Sequence, residues 1–318
     1  MKKETKIVIG ATALLSAAVG ASIATVKMLT DMAIKKDLPK AAVRIKPRLN
    51  SALIGEEYYK KAAMLSQKLE GKLHNTVHIE SREGLKLYGH VFTAPEQKRV
   101  VICMHGWRSD WSFDFGGCAD FFLEEGCTLI IPEQRCHGKS EGEFIGFGVY
   151  ERYDCLDWVE YAKNLFPDTP IYLCGVSMGA TTVMMAAGLQ LPDCVKGIIA
   201  DCGFTSPRAI WKHVMKNNLR ISEKLAYPIA NFYVNKKAGY DGEGASTVEA
   251  LKNCKVPVLF VHGDADTFVP HTMTLQNYDA CASEKTLLIV EGAGHGLSYY
   301  IETEKYQNLV KELFNKYD

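Results

Sequence analysis

The sequence has no net charge. Its 37 Lys and Arg residues are balanced by 37 Asp and Glu. Without a basic field nothing gathers nucleic acid, and no acidic tail is present. None of the ten cysteines forms a CxxC pair, and no Cys/His set has metal-ligand spacing. A metal centre and a cofactor are therefore not expected. Internal repeats and low-complexity segments are also missing, which excludes solenoids and fibrous arrays.

What remains is a chain with 47% hydrophobic residues, enough to bury a sizeable core. Several cysteines lie in apolar runs, such as Cys103 in Val100-Val101-Ile102-Cys103 and Cys174 in Ile171-Tyr172-Leu173-Cys174. There a thiol serves as a small buried hydrophobe. Free core thiols favour a reducing compartment or an anaerobic host over a disulfide-stapled domain.

Lys2, Lys3 and Lys6 precede Ile7 to Val26, a run without charge. Twenty residues at helical rise are about enough to cross a bilayer core. Residues 1–30 are therefore expected to be a membrane anchor, with a cleaved signal peptide (small residues Ala18 and Gly20) and a buried helix as the competing readings. Lysines flank both sides of the run, and an extracytoplasmic catalytic domain is the expected orientation. Residues 31–75 are read as linker followed by an amphipathic helix over Glu56 to Glu70, stopped by Gly71.

From Thr76 onward, short apolar runs alternate with helical patterns. Strands are expected at Val77–Ser81, Leu85–Phe92, Val100–Met104, Thr128–Ile131, Ile171–Cys174, Val195–Ala200, Pro257–Val261 and Thr286–Val290. Helices are expected at Phe113–Glu124, Tyr150–Asn164, Met178–Leu189, His271–Cys281 and Glu302–Phe314. This alternation predicts an α/β fold of about eight mostly parallel strands covered on both faces. More than fifty residues separate Ala200 from Pro257, too many for a simple crossover. Within them about 206–245 reads as a small helical cap over the sheet's carboxyl edge.

Gly175-Val176-Ser177-Met178-Gly179 follows a buried strand and opens a helix. That is the context of a nucleophile elbow, with Ser177 on a tight turn. A serine hydroxyl needs a base. His295, in a glycine-rich loop after the last strand, is the candidate; the other eight histidines are read as surface or structural groups. The base needs an acid to fix its tautomer. Asp266, after the penultimate strand, fits best; Asp201 at the neighbouring strand end and Asp264 in the same turn are the rivals. Two backbone N–H groups should receive an oxyanion. Met178, next to the nucleophile, and Trp107, in His105-Gly106-Trp107, are the candidates.

These elements resemble the α/β-hydrolase superfamily. His105 to Trp107, Arg135 to Gly142, Gly175 to Gly179, His262 to Pro270 and Gly292 to Gly296 appear in family order, over about three quarters of the chain. Within it the chain looks most like bacterial membrane-anchored hydrolases of the fermentation-respiration switch esterase group and prolyl-oligopeptidase-like catalytic domains. The resemblance implies metal-free acyl transfer by Ser177, Asp266 and His295, oxyanion donors Trp107 and Met178, a small-molecule acyl substrate, and a cap that sets substrate choice. Carboxylic-ester hydrolysis is the first reading. A peptidase or amidase is the second, although peptidases of that group usually bring an N-terminal propeller for which the segment before Thr76 is too short. An acyltransferase or thioesterase is the third, and a catalytically dead, membrane-tethered binding scaffold the last. Glu133 stands where many relatives have aspartate, and Trp107 is larger than its counterpart in many lipases, so long-chain triglycerides are doubtful substrates.

Overall fold

The structure, a computed structural model, describes residues 20–37 and 55–318. Eight strands form one sheet: β1 Asn75–Glu80, β2 Lys86–Phe92, β3 Arg99–Met104, β4 Cys127–Pro132, β5 Ile171–Val176, β6 Val195–Asp201, β7 Val258–Gly263 and β8 Lys285–Val290. Their order is 1-2-4-3-5-6-7-8. β2 runs antiparallel to both β1 and β4, and every other pairing is parallel.

Strand periodicity divides the core in two. Val100, Ile102 and Met104 of β3 pack with Trp158 and Val159 on one face. Val101 and Cys103 pack with Phe115, Phe122 and Phe314 on the other. Burial on both faces explains why β3 reads as a continuous apolar run rather than an alternating one. All ten cysteines are free thiols. Cys103 and Cys174 stand opposite each other in adjacent strands of this interior.

The expected helix over Phe113–Glu124 is two short helices, Trp111–Phe115 and Ala119–Glu124. The break falls at Gly116, where a Cβ would lie 2.7 Å from the backbone of Leu65. Helix Glu56–Glu70 thus sits too close for a side chain there. Its bounds match the expected amphipathic helix.

The insertion after β6 holds helix Pro207–His213, a π-helical turn at Val214–Asn218 and helix Glu223–Ala238. Ser206 caps the first by accepting from the Ala209 N–H. Gly239, at φ 73°, closes the last in the left-handed region.

The described end of the N-terminal segment packs against the protein. Residues 20–34 form one helix. It runs through the end of the expected apolar span and into the expected linker. Val26 packs with Ala226 and Ala230 of the cap, and Ile34 is fully buried. Among the described residues no helix is long and apolar enough to cross a membrane. Residues 1–19 of the expected anchor lie outside the described residues.

One buried ion pair anchors the loop after β4. Arg135 donates through Nε and Nη2 to both Asp154 oxygens, at 2.6 and 2.7 Å. Both residues are almost fully buried. Asp154→Ala would leave a buried guanidinium with only the partly exposed Glu83 as ionic partner. We expect a loss of about 3–5 kcal/mol, read as a lower urea midpoint at unchanged m value.

Candidate active site

Three strand ends and the loops beyond them bring the sequence-predicted residues together. Ser177 follows β5 and begins helix Met178–Ala187 at φ 56°, ψ −116°. This backbone is uncommon for a residue with a side chain. The flanking glycines make room for it. A Cβ on Gly179 would lie 1.8 Å from the Met104 carbonyl oxygen, and one on Gly175 would lie 2.3 Å from the Gly179 backbone. The turn is further held by the Ser177 N–H, which donates to the Asp201 carbonyl at 2.8 Å.

The Ser177 hydroxyl lies 2.9 Å from Nε2 of His295. On the other side of the ring, Nδ1 lies 2.6 Å from Oδ2 of Asp266. The carboxylate can only accept, so Nδ1 carries the hydrogen and Nε2 is left to accept from the serine. Asp266 has no free lone-pair direction for another partner. Its Oδ1 accepts the N–H groups of Phe268 and Val269 at 2.8 and 2.9 Å. Its Oδ2 also faces Nε2 of His262 at 3.1 Å.

Burial disfavours charge on Asp266, but the His295 ring, the His262 bond and the His295 bond outweigh it and hold the carboxyl well below its usual range. Burial likewise disfavours charge on His295. The Asp266 carboxylate prevails there too and raises the imidazole well above its ordinary value.

The rivals are placed elsewhere. Asp264 accepts the Gly292 N–H at 2.7 Å and ties two loops together. Asp201 is buried at the end of β6, and its Oδ1 has no hydrogen-bond partner among the described residues. Burial pushes its carboxyl up to about 6.

The oxyanion candidates flank the serine. Met178 is the first residue of its helix, where N–H groups lack intrahelical acceptors. On the other side, a Cβ on Gly106 would lie 3.4 Å from the Ser177 Cβ, so the loop carrying Trp107 passes close to the serine. Asp114 fixes that loop by accepting from the Gly106 N–H at 2.6 Å and the Ser109 hydroxyl at 2.5 Å. His105 and His137 are structural. His105 Nε2 accepts from the Gln134 N–H at 3.1 Å, and His137 Nε2 accepts from the Arg108 N–H at 3.1 Å. Glu133 accepts from the Lys139 N–H and lies 3.0 Å from His90 Nε2, away from Ser177, His295 and Asp266.

Sequence reasoning missed three contributors: His262 as support for Asp266, Asp114 as anchor of the loop carrying Trp107, and helix 20–34. The last lines a cavity of about 800 Å³, open mouth included, that contains Ser177. Trp107, Phe147, Phe204, Trp211 and Phe268 supply aromatic walls.

Cys202, Asp266 and His295 place one ligand-type atom each within 4.8 Å of one another. These are poor metal donors here. Both His295 nitrogens and both Asp266 oxygens already serve each other and their neighbours. Burial pushes the Cys202 thiol up to about 11, so it is protonated at neutral pH. The arrangement is suited to moving a proton from Ser177 to His295.

Comparisons with known proteins concern the fold and the family. A family model described as alpha/beta hydrolase fold matches residues 99–232, and one described as serine hydrolase (FSH1) matches residues 170–297. The chain is 29% identical to YqkD of Bacillus subtilis over 238 residues, 74% of this chain and 78% of that protein. It is 22% identical over 259 residues to the bifunctional esterase/perhydrolase DCH of Acinetobacter calcoaceticus, covering 69% of this chain and 93% of the relative. The Pyrococcus furiosus esterase Pf2001 superposes with a TM-score of 0.63 at 21% identity, over 79% of this chain and 95% of that one. Est1E of Butyrivibrio proteoclasticus with ferulic acid bound gives 0.56 at 20%, over 76% and 98%. These structural likenesses show the fold, and the two family matches together span residues 99–297. The chain has the α/β-hydrolase fold, and its sequence matches family models of that fold and of serine hydrolases.

Proposed function

We propose that the protein hydrolyses carboxylic esters through an acyl-enzyme on Ser177, with His295 as general base and Asp266 as the acid that orients it. The observation that carries this reading is the unbroken hydrogen-bond line from Ser177 Oγ to His295 to Asp266, opening into an apolar cavity. Ser177 Oγ bonds to the acyl carbon while its proton passes to His295 Nε2. The carbonyl oxygen becomes an oxyanion received by the Met178 and Trp107 N–H groups. As the intermediate collapses, the bond to the alcohol breaks and Nε2 returns its proton to the departing oxygen. Water, deprotonated by Nε2, then attacks the acyl-enzyme, and the acid leaves as Ser177 recovers its proton.

Esters are favoured over peptides by the esterase and perhydrolase activities named for the DCH relative. A parallel assay with p-nitrophenyl butyrate and a prolyl anilide tests this. Turnover of the ester with little of the anilide is expected. The reverse preference contradicts ester hydrolysis and leaves the amidase reading.

The base must be neutral to accept a proton. Because Asp266 raises the His295 pKa against the opposing effect of burial, kcat/KM should climb with pH along a limb whose midpoint exceeds the ordinary imidazole value of about 6.5. It should then level off. A pH profile with a p-nitrophenyl ester checks this, and a midpoint below that value contradicts it.

A further inference from the structure

We propose that helix 20–34 is a wall of the acyl pocket, and that the pocket selects esters whose acyl group is a flexible apolar chain of medium length. This deepens the ester-hydrolase reading and rests on it.

Val26, Leu29, Thr30, Ala33 and Ile34 line the cavity that contains Ser177. Their spacing puts them on one helix face. Ile210, Met215 and Ile221 of the cap line it as well, the last two packed with Val26. Among the described residues no lining residue is charged. Among the described residues the one lining hydroxyl besides Ser177 belongs to Thr30, and it is turned back to donate to the Val26 carbonyl at 2.7 Å. The indole N–H of Trp107 is likewise occupied, donating to the Ala33 carbonyl at 2.8 Å. Such walls offer methyl and aromatic surface to a substrate and few polar partners.

The helix is held by the active-site loop itself. Arg108, next to Trp107, donates through Nε to the Met32 carbonyl at 2.9 Å and through Nη2 to the Lys35 carbonyl at 2.5 Å. The Ile145 N–H donates to the Ile34 carbonyl at 2.6 Å, and Tyr233 of the cap donates to Asp31 at 2.9 Å. A cation at a helix C-terminus satisfies carbonyls that lack intrahelical donors. The segment that closes the pocket therefore also supports the loop that carries a proposed oxyanion donor.

An apolar chain gains about fourfold in transfer equilibrium per buried methylene. The cavity's finite size sets an upper limit to that gain. Short chains leave the wall from helix 20–34 unused, and very long chains exceed the enclosed space.

The test uses the full chain, active sites counted by fluorophosphonate titration, and p-nitrophenyl acetate, butyrate, octanoate, dodecanoate and palmitate. In the wild type kcat/KM for octanoate should exceed that for acetate by at least about tenfold, with palmitate below octanoate. Leu29→Trp should lower the octanoate-to-acetate ratio at least tenfold. Leu29→Ala should raise the dodecanoate-to-octanoate ratio. Circular dichroism and the titrated active-site fraction show whether each variant is folded. A wild-type profile that falls steadily from acetate overturns the proposal. So does either folded variant with the wild-type ratio. If no ester is turned over and Ser177 is not labelled, the underlying hydrolase reading fails instead, and this inference falls with it.

Discussion

Ser177→Ala should lose about 10⁶-fold in ester turnover while melting close to the wild type. The expectation follows from what the hydroxyl does and does not hold in place. The turn itself is fixed by the Ser177 N–H on the Asp201 carbonyl and by the Thr181 N–H on the Ser177 carbonyl, and alanine keeps both. The strained φ of 56° is common to serine and alanine, so the substitution neither relieves nor adds to it. What disappears is the donor 2.9 Å from His295 Nε2 and with it the atom that bonds to the acyl carbon. His295→Ala should cost a similar factor, because without a base the hydroxyl is a weak nucleophile. Steady-state kinetics with a p-nitrophenyl ester, beside a thermal melt, measure both.

The second large effect concerns the acid. Asp266→Asn should lower kcat by about 10⁴, whereas Asp201→Asn should stay near wild type. The carboxylate of Asp266 is met by donors on both oxygens: two backbone N–H groups on Oδ1, and the His295 and His262 rings on Oδ2. An asparagine must direct its NH₂ at one of these pairs. If the NH₂ faces the rings, His295 Nδ1 can no longer donate, and the tautomer that leaves Nε2 free to accept is disfavoured. If it faces the backbone N–H groups, two buried donors are opposed to a third. Asp201 has no partner on Oδ1 among the described residues, and only the His262 and His295 rings and the Ser298 hydroxyl oppose the burial that pushes its carboxyl up to about 6. Comparing the two variants at the plateau of the pH profile separates the rival acids. Equal losses would contradict the assignment of Asp266.

Much of this site is legible in the sequence because its parts obey local rules. Ser177 lies between glycines that alone fit the elbow, and the positions of Gly175 and Gly179 follow from backbone contacts a few residues or one strand away. Strands β3 to β7 are buried runs, so their carboxyl ends, where Trp107, Asp266 and the elbow begin, can be located from hydrophobicity alone. Asp266 is separable from Asp264 only by geometry, since both follow β7 in one turn. His262 opens the segment His262 to Pro270, but nothing in that segment marks the ring as support for Asp266, and Asp114 carries no motif. Their value lies in an imidazole beneath Asp266 and a carboxylate beneath Gly106, contacts that only the folded chain defines.

Helix 20–34 shows the limit most clearly. An apolar run rich in Ala, Gly and Ser has much the same composition whether its surroundings are lipid or a protein cavity. Val26, Thr30 and Ile34 recur at helical spacing and are buried, while Thr25, Lys27 and Met28 are exposed. The end of the expected span thus belongs to an amphipathic helix seated on the cap. Linker character was expected from residue 31 onward, yet Asp31, Ala33 and Ile34 are held by the cap and by the loops that carry Trp107 and Ile145. The partners lie from about seventy to two hundred residues away, beyond the reach of periodicity.

The central claim is that Ser177 alone is activated for attack on an acyl carbon. Incubation of the full chain with a fluorophosphonate, followed by proteolysis and mass spectrometry, tests it most directly. One adduct is expected, on the peptide containing Ser177, and it should vanish in Ser177→Ala and in His295→Ala. An adduct on another residue, or a folded wild-type chain that stays unmodified, would contradict the account.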